Sequence, residues 1–482
     1  MLAVDRQNET FLYQQVIDFI GEKIESGTLL PGDKLPSLRR LSNQIGVSIP
    51  TIKQAYVELE RLGRVVSRPQ SGFYVRAQAR NELIKKRPPR RGLKPVAVKC
   101  QRLIDRVYQG IHLPGVVPMG ISNPTMAKPA AKALHRTMKR VMSRAEERSL
   151  SYASFVGEPA LRRQLAHRYL QMGGDVDPDD VVITNGGQEA LMLALKCVAS
   201  PGDVIAVESP CYHGVLELIE SLGMLAFEIE TCPEEGVCLS ALKQALETQT
   251  IKACAFSSSL NNPLGSYMND ELRREMVELL EAHDVVLIED DVYGDLLFNG
   301  QRPKPGQFYS RKNQVMTVGS FSKTAAPGYR IGWLLPGAYV DDVTVLKRAF
   351  SCSSGLLQQM TLAEFMASGD YDRHIKALRP VLKQNCERMT ALIGDHFPSS
   401  TRVSNPAGGS VLWLELPKSI NGDEIFERAL HNRISIAPGH LYSPGDRYKH
   451  CLRLSFGHQW TEQFEQGIKT LGRLVREYEL QH

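Results

Sequence analysis

At 482 residues the chain is longer than one hydrophobic core usually organises, so two or three globular units are expected. No apolar run approaches a membrane span, and the start, MLAVDRQNETF, has neither the basic region nor the apolar core of a signal peptide, so a cytoplasmic protein is expected. The net charge of +5 conceals an asymmetry: residues 1–100 carry 18 Lys and Arg against 9 Asp and Glu, about +9, which leaves about −4 for residues 101–482. A basic N-terminal fifth suits a polyanionic partner, because neutralised phosphates release counterions, although a solvated basic linker would give the same count.

Phe11 to Ser26 places Leu12, Val16, Phe19, Ile20 and Ile24 on one helical face, with Gly27 as a stop. In LPSLRRLSNQIG, Ser37 is positioned to cap a helix whose Leu38, Leu41 and Ile45 face inward, and Gly46 closes it. Ser48 then caps a second helix with an apolar stripe of Ile52, Ala55, Tyr56, Leu59 and Leu62. Two short helices around a Gly-containing turn read as a helix-turn-helix. After Gly63, RVVSRPQSGFYV reads as strand, turn and strand, the turn being Pro69 to Gly72.

Over residues 12–75 the literal sequence resembles the GntR-type winged-helix family, through Pro31-Gly32-Asp33-Lys34-Leu35-Pro36-Ser37, Arg39, Gly46-Val47-Ser48, Thr51 and the wing Ser71-Gly72-Phe73-Tyr74-Val75. The resemblance implies that the helix starting at Ser48 enters the DNA major groove, where Thr51 and Lys53 reach base edges or phosphates, while Ser37, Arg39 and the Arg68 to Gly72 wing hold the backbone. One departure stands out. Where many relatives carry Arg and a small polar residue after the capping Ser, this chain has Ile49-Pro50. Pro is tolerated in a first helical turn, but a base-reading Arg is missing.

Residues 1–76 are therefore expected as a DNA-binding head and 77–110 as a basic linker. In the linker, Pro88-Pro89 and Pro95 argue for a semi-extended tether whose cations touch DNA, solvent or the acidic larger domain. Nine scattered cysteines (100, 197, 211, 232, 238, 254, 352, 386, 451) form no CxxC pair and read as reduced, mostly buried thiols, with no metal site expected.

From residue 111 to 482 helical and strand patterns alternate, as in an α/β domain with a mostly parallel sheet. Strands are expected at Val181 to Thr184, Val204 to Glu208, Ala253 to Ser257, Val285 to Glu289 and Val315 to Gly319, and chemistry in such sheets collects beyond the carboxyl ends of strands. Asn185-Gly186-Gly187-Gln188 opens a helix whose first amides face the crevice. In GSFSKTAAPGYRIGW, Ser320, Ser322 and Arg330 make a phosphate cup around Lys323, a candidate Schiff-base amine. Glu289-Asp290-Asp291 ends an apolar strand, where uncompensated carboxylates are costly and a cofactor cation would account for one.

These segments resemble the class I/II aminotransferases of pyridoxal-phosphate (PLP) fold type I over roughly residues 115–482, with a smaller C-terminal α+β subdomain from about 345. The resemblance implies that Lys323 forms the internal aldimine and that Asp290 pairs with the pyridine nitrogen. Tyr293 and Asn262 would bond the ring hydroxyl, and Tyr212 would stack on the ring. Gly187, Gln188, Ser320, Ser322 and Arg330 would hold the phosphate. Tyr152 would reach the partner subunit's cofactor, which requires a homodimer, and Arg453 would pair with a substrate or effector carboxylate. A GntR-like head on such a body resembles the MocR-type transcription regulators. Two functions stay open: a DNA-binding regulator that senses PLP, or an amino acid or amine, through an aldimine, and a PLP-dependent aminotransferase with an accessory DNA-binding head.

Overall fold

The computed structural model describes residues 11–481 apart from 27, 31, 63, 69–70, 76–81, 88–92 and 100–102. Near the N-terminus, three helices, Leu12–Glu25, Leu38–Ile45 and Ile49–Arg61, pack with a two-stranded antiparallel hairpin, Val65–Arg68 and Gly72–Val75. They share a core of their own: Val16, Ile17, Ile20, Leu41, Ile52, Ala55 and Leu59 are buried together with Val65 and Val75 of the hairpin. Amphipathic helices too short to persist alone are held by that common core. Gly46 ends the first helix of the pair in the left-handed region, φ +67°, and Tyr56 donates a 2.8 Å hydrogen bond to Pro36 O, tying the second helix to the turn ahead of the first.

The larger body is built on a mixed sheet in the spatial order Val96–Ala97, Leu225–Cys232, Val204–Ser209, Ile251–Phe256, Val286–Asp290, Val315–Ser320, Gly332–Leu335 and Val182–Thr184. The strands from Leu225–Cys232 to Val315–Ser320 run parallel; Gly332–Leu335 lies antiparallel between Val315–Ser320 and Val182–Thr184. All five expected strands are present to within two or three residues at their ends. Leu225–Cys232 and Gly332–Leu335 are further strands beyond those five. Helices cover both faces, and Ala190, Leu193, Ala194 and Leu195 of Gly187–Val198 are buried against the sheet.

A second sheet belongs to the C-terminal subdomain, in the order Ala437–Pro438, Cys451–Ser455, Val411–Glu415, Arg402–Val403 and Glu82–Leu83. Its last strand comes from the linker. The linker also supplies Val96–Ala97 to the edge of the main sheet. Of the places left open for the linker, its described residues take the body: Ile84 is buried, Arg87 pairs with Glu415 and stacks over Tyr448 at 5.5 Å, and Lys86 lies 3.5 Å from Glu235. Exposed sheet edges offer unpaired backbone groups, and a linker of matching length satisfies them. The acidic body is thus where these described linker cations go. Helix Leu103–Gly110 then leads into the body. Among the described residues, no helix is long and apolar enough to cross a membrane.

Candidate cofactor cleft and DNA-facing head

Adjacent parallel strands end side by side, and the polar residues that follow them converge on one cleft of about 120 Å³. Asp290 closes the strand Val286–Asp290, Lys323 sits in the tight turn after Val315–Ser320, and Tyr212 precedes helix His213–Ser221 after Val204–Ser209. Ten of the expected residues line it: Gly187, Gln188, Tyr212, Asn262, Asp290, Tyr293, Ser320, Ser322, Lys323 and Arg330.

One end of the cleft is built for an anion. Gly187 starts a helix, so free amides face it. Arg330 donates to Ser322 Oγ (3.3 Å) and Asn185 O (3.2 Å), and Ser320 Oγ donates to Ser322 Oγ (3.0 Å). Gly186 has φ +85°, and a Cβ there would lie 2.3 Å from Arg330 Nη2. Gly332 is needed for close approach, since its Cβ would meet the Gly186 carbonyl carbon at 2.6 Å. The turn, the strand and the guanidinium therefore fit only with glycine at both positions.

At the other end the carboxylates sort themselves. Glu289 accepts from Ser258 Oγ and Gly306 N and lies 3.9 Å from Arg273, and Asp291 is paired with Arg302 at 2.5 Å. Asp290 is the one that faces the cleft. Burial pushes its carboxyl up to about 6, against the opposing pull of the Val292 amide. Burial, followed by the Arg453 cation, brings the Lys323 amine down to about 8, although Lys323 keeps a wet face on the cleft. Its Nζ donates to Ser122 O at 2.5 Å. Tyr293 donates to Ser122 Oγ at 2.6 Å, and Ser122 Oγ lies 2.7 Å from Ser410 Oγ. Ser122 and Ser410, distant in sequence from every strand-end motif and in segments without periodicity, carried no signal that sequence reasoning could have used.

Asn262 is buried and its Oδ1 has no partner, so the cleft holds an amide group awaiting a polar ligand. Arg453, in the middle of Cys451–Ser455, is outside the lining; it is buried, donates to Gly120 O, and its Nε has no hydrogen-bond partner. Tyr152 is 88% exposed and also outside the lining.

On the head, Ser37 Oγ accepts from Arg40 N (3.3 Å) and Ser48 Oγ from Thr51 N (3.4 Å), so both expected caps form. Arg39, Lys53 and Gly72 are exposed. Thr51 is half-buried, and its hydroxyl lies 2.8 Å from Ser48 Oγ in the first turn of the second helix. The side chain of Arg68 and the turn residues Pro69 and Gln70 lie outside the described residues.

Residues 114–471 match the family described as aminotransferase class I and II, and residues 12–75 match the bacterial regulatory proteins of the gntR family. The chain is 35% identical over 471 residues to the uncharacterized HTH-type transcriptional regulator YjiR of Escherichia coli (strain K12), covering 96% of this chain and 98% of the relative. It is likewise 35% identical over 465 residues to YdcR of the same organism, a regulator of the same description, covering 96% and 99%. Among solved structures, the α-aminoadipate aminotransferase LysN from Thermus thermophilus superposes with a TM-score of 0.73 at 24% identity, over 80% of this chain and 97% of that one. The multiple substrate aminotransferase from Thermococcus profundus gives 0.72 at 23%, over 79% and 96%.

Proposed function

Because the chain belongs to the class I and II aminotransferase family and carries a gntR-family DNA-binding head, we propose that it is a cytoplasmic, dimeric transcription regulator whose body binds PLP and senses an amino acid or amine through it. PLP is the cofactor of this fold, and the cleft fits it: an anion cup at one end, a buried carboxylate at the other, an amine between them and an unpartnered amide on the wall. The cofactor supplies an aldehyde that bonds amines and a ring that withdraws electrons. Lys323 is the amine of the chain for that aldehyde. Asp290 would hold a proton on the ring nitrogen, Asn262 and Tyr293 would bond the ring hydroxyl, Tyr212 would cover the ring, and Arg330, Ser320, Ser322, Gly187 and Gln188 would hold the phosphate. Arg453, a buried cation with an unpartnered Nε, suits an effector carboxylate. Tyr152, at the surface, suits a role in the partner subunit's cleft.

The observation that favours a regulator over a plain enzyme is the linker. Glu82–Leu83 extends the sheet of the C-terminal subdomain and Val96–Ala97 extends the main sheet, so the strap from the head crosses both halves of the body. A ligand that shifts one half against the other displaces the strap, and with it the head. Arg64 of the head, 3.7 Å from Glu387, adds a direct contact with the body. The test measures DNA affinity with and without PLP and a panel of amino acids and amines, beside a transamination assay on the same protein. We expect slow or no turnover and one ligand that shifts DNA affinity; rapid transamination with no ligand effect on DNA binding would overturn the regulator reading.

A further inference from the structure

The phosphate-binding turn is held from both sides. Arg330 grips the Asn185 carbonyl, while the Asn185 N–H donates to Glu189 Oε2 at 2.5 Å and its Nδ2 to Glu189 Oε1 at 3.3 Å. Glu189 thus fixes the turn, but it does so with a negative charge in the first turn of the helix whose N-terminus faces the anion cup. A carboxylate and a phosphate compete for the same helix end, and two anions within one helical turn repel strongly where water is scarce.

The fold answers this with a cation from a different element. Lys347, on helix Val340–Ser351, has a fully buried side chain, and its Nζ lies 2.8 Å from Glu189 Oε2, 2.7 Å from Ser351 Oγ and 3.2 Å from Ser354 Oγ. All three ammonium protons are therefore used. Burial raises the Glu189 carboxyl, but bonds from Lys347, Ser351 and Asn185 outweigh it and hold it below the usual range. Lys347 moves the other way from what pairing alone would give, downward, because burial outweighs what Glu189 restores. The three short contacts decide for the ionised pair. Ser354 O also accepts from Gln359 Nε2 (2.9 Å), and Gln359 Oε1 accepts from Glu158 N (2.7 Å), so the same knot braces the segment after Tyr152.

We propose that Lys347 is a positioning residue for the cofactor: its buried ammonium neutralises Glu189, so that Glu189 can hold the phosphate-binding turn without repelling the phosphate. A purely structural ion pair would be indifferent to the ligand's charge; this one is not. The inference rests on the reading that the turn holds the phosphate of PLP, and that reading is tested separately: wild-type protein that binds pyridoxal as tightly as PLP would refute it whatever Lys347 does.

The experiment compares dissociation constants for PLP and for pyridoxal, which lacks the phosphate, in full-length wild type, Lys347→Met, Glu189→Gln and the double variant. Lys347→Met should weaken PLP at least about ten-fold while pyridoxal shifts by no more than about two-fold, as expected for one uncompensated charge close by. Adding Glu189→Gln should recover most of that loss, since it removes the stranded carboxylate. If Lys347→Met weakens both ligands alike, or the double variant binds PLP no better than Lys347→Met, the proposal is wrong. Should Lys347→Met fail to fold, Glu189→Gln decides alone: a PLP-to-pyridoxal affinity ratio held or raised supports the proposal, and a lowered ratio overturns it.

Discussion

Titrating the reactivity of Lys323 toward PLP probes the electrostatics of the cleft directly. With its amine at about 8 rather than 10.5, roughly a tenth of Lys323 is neutral at pH 7, against about 0.03% for an ordinary lysine, a gain of roughly 300-fold in reactive amine. Capture of PLP by cofactor-free protein, followed by stopped-flow absorbance, should therefore accelerate about ten-fold from pH 7 to pH 9 and then level off. An unperturbed amine would gain about 100-fold over the same interval and keep rising. Arg453 is the largest depressing influence after burial, so Arg453→Met should move the midpoint upward and slow capture at pH 7. The same shift has a stability consequence. A lysine with a lowered folded-state value favours the fold above 10.5, and that contribution is lost as pH falls through about 8, so the cofactor-free protein should gain stability from this group between those values. A rate that still climbs ten-fold per pH unit beyond pH 9 would refute the reasoning.

Gly186→Ala would force a Cβ to 2.3 Å from Arg330 Nη2 at φ +85°, a strain of about 1–3 kcal/mol; PLP affinity should fall about ten-fold with secondary structure intact by circular dichroism. Arg87→Ala removes a part-exposed ion pair with Glu415 and the stacking on Tyr448, worth about 1 kcal/mol. Hydrogen exchange should then quicken across residues 82–87 and the ligand effect on DNA affinity should shrink while PLP loading persists; unchanged exchange would contradict linker docking. Arg39→Ala or Lys53→Ala should weaken DNA binding without altering PLP loading, and loss of a phosphate contact should lower the salt slope by about one. Full affinity for DNA in a chain lacking residues 1–76 would show that the head is not the reader.

The head was legible in the sequence because its determinants are local. Caps at Ser37 and Ser48, the left-handed Gly46 and the stripe from Ile52 to Leu59 each act within a few residues, and each forms as the pattern demanded. The cleft residues were legible for a related reason. A parallel sheet delivers its strand ends to one edge, so Asp290, Lys323 and Tyr212 were bound to meet once the strands were read.

What the sequence alone determined, then, is the division into a basic reader and an α/β body, and the identity of the groups at the strand ends. The elements follow from periodicity and capping, which act over short stretches of chain, while the reading of the head as a DNA binder and of the strand-end groups as a cofactor site came from the family resemblances. The tertiary structure decided the rest. Ser122 meets Tyr293 across 171 residues, Lys347 meets Glu189 across 158, and Arg87 meets Glu415 across 328. No local pattern encodes such pairs, because they exist only where the packing of distant elements excludes water and leaves a polar group to be satisfied. The linker shows the same limit: its prolines and cations specify an extended basic segment, but only the two open sheet edges determine where that segment binds.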